Sequence, residues 1–91
     1  MPKTMIETSP DAAQLAHLGV DRWPVWESEI AEFPWAYADM ETSYIPQGRV
    51  IVTSEGREPV EIVTGDLVMF PAGMACTWKV VEPLRKRHRF G

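Results

Sequence analysis

Cysteine is almost absent from this 91-residue chain: Cys76 stands alone, so no internal disulfide can form, and a reducing, cytoplasmic setting is the expectation. Long apolar runs are missing too, so no membrane span is expected, and residues 1–20 lack the basic start and apolar stretch of a secretion signal. Basic residues are scarce over most of the length. Met1 to Leu84 carries thirteen acids against five bases, a charge of −8, and only Arg85, Lys86, Arg87 and Arg89 bring the total back to −4. An acidic body argues against broad nucleic-acid binding. Repeats, low-complexity tracts and linkers are lacking as well, which leaves one domain over residues 1–91.

Aromatic and sulfur-bearing side chains are plentiful, with four tryptophans, three phenylalanines and five methionines. A chain of this length buries only roughly 60 to 65 % of its unfolded surface, so closing a sheet into a barrel, or pairing two barrels, is the way to bury more. Trp23, Trp26 and Phe33 add to the apolar load, and a homodimer is expected from it.

Read in order, Met1 to Glu7 is an edge strand or a loose arm. TSPDAAQLAHLG reads as a two-turn helix with Ser9 as N-cap, Pro10 at the first helical position, Asp11 in the first turn and Gly19 just past the end. Leu15 and Leu18 give it an apolar side, and His17 sits near its C-terminus as a surface residue. Pro24 and Pro34 break any helix over Val20 to Tyr37, which leaves strands at Val25–Glu29 and Trp35–Tyr37 with a corner at Glu32-Phe33-Pro34. Glu27, Glu29 and Glu32 read as a solvated face. From Glu41 the pattern is a β-meander: Glu41–Ile45, a turn at Pro46-Gln47-Gly48, Arg49–Thr53, a hairpin tip at Ser54-Glu55-Gly56, and Val60–Val63. Leu84–Phe90, after Glu82-Pro83, is the last strand. Seven to nine short strands after one short helix make an all-β sandwich or barrel.

The most informative stretch is Gly65 to Lys79, GDLVMFPAGMACTWK. Two strands meet at Pro71-Ala72-Gly73, where proline fixes φ and glycine permits φ > 0. The spacing Gly, five residues, Pro, one residue, Gly and two residues before Cys76 resembles the second signature motif of the cupins. Upstream, Glu41 and Gly48, with the six residues Thr42 to Gln47 between them, resemble the end of the first motif, whose two histidine positions fall on Trp35 and Tyr37. The chain is thus similar, over roughly Trp23 to Phe90, to the small single-barrel cupins grouped with ethanolamine-utilisation and ureidoglycine-aminohydrolase cupin domains. That resemblance implies a jelly-roll-like antiparallel β-barrel, commonly paired through its sheets, with Trp35, Tyr37, Glu41 and Cys76 directed into the lumen.

Strand alternation adds Trp78 to the face of Cys76. On the last strand it puts Leu84, Lys86, His88 and Phe90 on one face, the more apolar one, and Arg85, Arg87 and Arg89 on the other. Lys86 and His88 are therefore expected inward beside Glu41, a buried carboxylate that needs a partner. The ligand-binding candidates are Trp35, Tyr37, Glu41, Cys76, Trp78, Lys86 and His88, around a small carboxylate or sugar-like compound. Two other readings stay open: a metal-independent enzyme in which Glu41 with Lys86 or His88 moves a proton, and a filled barrel that serves an assembly. No cofactor is expected. Trp35 has no lone pair to offer a metal and Tyr37 is a poor ligand, so Glu41, Cys76 and His88 are only weak metal donors.

Overall fold

A computed structural model describes residues 4–91. Seven strands follow in chain order: β1 (Met5–Glu7), β2 (Val25–Ser28), β3 (Ala31–Ala36), β4 (Glu41–Ser54), β5 (Val60–Val63), β6 (Leu67–Phe70) and β7 (Ala75–Phe90). Between β1 and β2 lie α1 (Ala12–Leu18) and one 3-10 turn, Val20–Arg22. Met5–Glu7 of the N-terminal arm is the edge strand; residues 1–3 of that expectation lie outside the described residues.

The helix starts two residues later than the sequence suggests. Asp11, not Ser9, is the N-cap: its carboxylate accepts from the Gln14 N–H at 2.8 Å, and Pro10 precedes the helix. Asp is as good a cap as Ser, and Ser9 is held at φ 49 in the approach to the helix. Gly19 does close the helix, in the left-handed conformation, with its N–H shared between the carbonyls of Leu15 and Ala16.

The sheet is organised around β4 and β7, each far longer than a typical strand. The expected breaks at Pro46-Gln47-Gly48 and at Glu82-Pro83 are bends within these strands, and they lie opposite each other in one antiparallel ladder. Three register irregularities fall between Tyr44 and Val50. They reverse the inward parity of β4, so that Glu41, Ser43 and Ile45 are buried before the bend and Val50 and Val52 after it. Gly48 makes the crossing possible: at φ 111, an added Cβ would stand 2.5 Å from the Pro83 carbonyl oxygen and 2.8 Å from Leu84 Cα.

Because both strands bend together, each serves two sheets. Before its bend β4 pairs with β6, and after it with β5; the first half of β7 pairs with β3, and the second with β2. The result is the antiparallel jelly-roll barrel, formed by folding one sheet over itself. Pro34 does not break β3, because among the described residues β3 bonds only to β7 and an edge strand can spare a donor on its open side. The core between the layers holds Val50, Val52, Ile62, Val68, Phe70, Val80 and Trp78. A second cluster, Val20, Trp23 and Leu67 with Leu15, Leu18 and Tyr44 against it, seats the helix on the outer face.

Candidate functional site

Glu41 opens β4, and Ser43 follows it on the same inward face. Both are buried, with Glu41 1 % exposed. Across the ladder Ser43 stands opposite His88 and Glu41 opposite Phe90, so Lys86 and His88 arrive on that face from β7. The inward placement of Lys86 follows from alternation through Leu84, as the sequence suggests, and Lys86 is only 5 % exposed.

Lys86 Nζ donates to Glu41 Oε2 at 2.6 Å, and Ser43 Oγ donates to the same oxygen at 2.7 Å. The ammonium also stands 5.0 Å from the Trp26 ring centroid and 4.7 Å from that of Trp78. A buried charge is tolerated only when partnered, and here a carboxylate and two aromatic faces partner it together. Burial pulls Lys86 below the ordinary lysine range, with the charge and hydrogen bond of Glu41 opposing it.

Beside this pair is a cleft of about 250 Å³. Of the sequence candidates, Trp35, Glu41, Trp78, Lys86 and His88 line it, joined by Trp26, Phe33 and Phe90. Trp35 and Phe90 form its open rim and remain 43 % and 57 % exposed. Phe90 is therefore not buried, contrary to the alternation of β7; the strand ends there and no element among the described residues covers it. The Nδ1 atom of His88 is buried without a hydrogen-bond partner among the described residues.

Tyr37 and Cys76 are inward, yet they belong to the packed core and do not line the cleft. Tyr37 stacks on Phe70 with centroids 4.9 Å apart, and burial first, then the nearby Glu41, pushes its phenol well above the ordinary range. Cys76 donates to the Trp35 carbonyl oxygen at 3.6 Å, and burial raises its thiol against the opposing influence of Trp78 and Lys86. A buried thiol with a raised pKa is a poor nucleophile. No group of three or more His, Cys, Asp or Glu able to hold a metal occurs among the described residues. Trp35 and Tyr37 stand where metal-binding relatives carry histidine, and Glu41 already accepts from Lys86 and Ser43, so this donor set does not fit a cupin metal.

The outward arginines are engaged within the chain. Arg85 pairs with Glu27 at 3.0 Å, Arg87 donates to the carbonyls of Asp21 and Trp23, and Arg89 lies over the Trp23 ring. Trp26, Phe33, Phe90 and Ser43 are site residues that the sequence candidates did not include. The register Trp26 opposite Lys86 explains the first, and the two-residue step from Glu41 to Ser43 was a readable signal for the last.

Fold and cleft together define a small cupin without a metal-type ligand set. Residues 15–88 match the family described as the EutQ-like cupin domain, and the chain belongs to that family. Among solved structures it is similar to a DUF861 family protein from Thermotoga maritima, at 45% identity and TM-score 0.94, covering 98% of this chain and 100% of that one. It is also similar to the Clostridium difficile EutQ protein (23% identity, TM-score 0.66, 72% of this chain and 52% of that one). A DUF861 family protein of unknown function from Pseudomonas syringae matches at 26% identity and TM-score 0.66, over 74% of this chain and 29% of that one. The chain thus spans about half of the EutQ protein and the whole of the Thermotoga one. No curated protein matches.

Proposed function

We propose that this chain is a small-molecule-binding cupin that holds a small organic ligand in its barrel lumen. The observation that carries the reading is the aromatic-walled cleft built against a buried Lys86–Glu41 pair. Convergent polar groups in a concave apolar site are the usual form of a ligand site, and an open cleft disfavours a barrel filled entirely by its own side chains. The test is a ligand screen by saturation-transfer NMR, with the indole N–H signals of Trp26, Trp35 and Trp78 as reporters. Compounds that shift these three signals while leaving Trp23 unmoved support the reading; shifts confined to Trp23 or to the outer face contradict it.

A second reading, a metal-independent enzyme, is favoured by one observation: a lysine held below its ordinary range sits 2.6 Å from a carboxylate in that cleft. Turnover of a bound compound that disappears on Glu41→Gln, at unchanged stability, would put it first. We also propose that the protein is a homodimer. The aromatics that first suggested pairing are packed within the chain, but Met5 and Met69, opposite each other in the β1–β6 ladder, lie exposed, and Ile6 of the edge strand β1 is exposed on the other face. Light scattering should return about twice the 10.3 kDa chain mass; a mass of one chain across micromolar concentrations contradicts it.

A further inference from the structure

The polar atoms of the cleft divide into those already committed and those still open. Lys86 is committed, with one donor on Glu41 Oε2 and its remaining protons beside the faces of Trp26 and Trp78. Ser43 is committed to the same carboxylate oxygen. Three polar groups of the lining residues are open. Glu41 Oε1 receives no hydrogen bond, and His88 Nδ1 and Trp78 Nε1 are buried without a partner, among the described residues. The carboxylate oxygen can only accept, the indole N–H can only donate, and a neutral imidazole with its proton on the other nitrogen presents Nδ1 as an acceptor. A ligand hydroxyl, which both donates and accepts, suits this mixed set.

Charge narrows the ligand class further. Inside the cleft Lys86 and Glu41 cancel, so a carboxylate ligand would bring a second anion beside Glu41 with no free cation to receive it. An amine would add a second cation beside Lys86. A second anion is unfavourable in a site walled by aromatic rings, and an amine, although aromatic faces attract a cation, would meet the like charge of Lys86. A neutral ligand meets neither cost. Its hydroxyls can donate to Glu41 Oε1 and His88 Nδ1 while its ring face rests on the exposed aromatic rim of Trp35 and Phe90.

Resting on the reading of the cleft as a ligand site, we propose that its ligand is a neutral, hydroxyl-bearing ring compound of about monosaccharide size, and not a carboxylate. A cleft of about 250 Å³ is small enough for a single such ring.

The test titrates the full chain with D-glucose, D-xylose and myo-inositol, and in parallel with glucuronate and glucosamine at matched ionic strength, following the tryptophan indole and His88 ring signals by NMR. At least one neutral probe is expected to shift the Trp35, Trp78 and His88 signals and to bind about tenfold tighter than its charged counterpart. His88→Phe, which keeps a ring in place, is expected to weaken that neutral probe about fivefold at unchanged thermal stability, as loss of one hydrogen bond implies. Glucuronate or glucosamine binding the cleft as tightly as the neutral probes overturns the ligand class and leaves the ligand-site reading standing. No probe moving any cleft signal at millimolar concentration overturns both.

Discussion

The two halves of the β4–β7 ladder share one backbone pattern and carry opposite chemistry. Beyond the bend, Val50 faces Val80 and Val52 faces Trp78, all buried, within an apolar core closed by Ile62, Val68 and Phe70. Before the bend, Ser43 faces His88, and the inward positions beside them hold Glu41 and Lys86. Glu41, Ser43 and Lys86 are buried as the valines are, yet only one half is apolar. A buried ion pair adds little net stability over hydrophobic residues of similar volume, so the polar half is poorly explained as a device for holding the barrel together. Its open acceptors and adjoining cleft are better explained by a ligand.

Breaking the two halves separately sharpens this contrast. The largest effect is expected from Lys86→Ala, which leaves the Glu41 carboxylate buried without its cation: about 3–5 kcal/mol of lost stability by urea denaturation. Ile62→Ala in the apolar half, fully buried, is expected to cost about 2–4 kcal/mol from lost burial and the cavity left behind. The two losses differ in kind, because the first is relieved by neutralising Glu41 as well and the second by no change at the polar end.

A smaller effect is expected in the pH dependence. Lys86 is held below its ordinary 10.5, so near the top of that window the unfolded chain binds a proton that the folded chain lacks, and stability rises with pH up to 10.5. Tyr37 acts oppositely: its raised pKa keeps it protonated above 10.0 when the unfolded phenol ionises, so stability falls as pH climbs past 10.0. Unfolding measured from pH 8 to 11 should show a flatter rise in Lys86→Met and a weaker alkaline loss in Tyr37→Phe. The smallest effect concerns Cys76, whose alkylation by iodoacetamide in native protein at neutral pH should be far slower than in urea; equal rates would contradict its burial.

Much of this contrast was legible in the residues. The motif around Pro71 and Gly73 gave the β6–β7 corner, and alternation along Leu84, Lys86 and His88 gave the inward lysine and histidine. Two things were less readable, for physical reasons. Pro46-Gln47-Gly48 carries the composition of a turn, and a bulge within a long strand uses the same residues, since both need a residue free at φ > 0. Lumen-facing positions also do not separate core from cleft. Tyr37 and Cys76 occupy the same face as Glu41, and only the stacking of Tyr37 on Phe70 and the seat of Cys76 beneath the Trp35 carbonyl place them behind the cleft wall. Trp26 reaches the site through its register with Lys86, a pairing across about sixty residues of chain that no local pattern encodes.

The central claim is that the Glu41–Lys86 pair belongs to the cleft and not to the stability of the fold. The most direct measurement is urea unfolding of the double variant Glu41→Gln/Lys86→Met beside the two single variants. The account predicts a double variant as stable as the natural chain, or more so, with each single variant well below it. A double variant as destabilised as the sum of the two singles would contradict it.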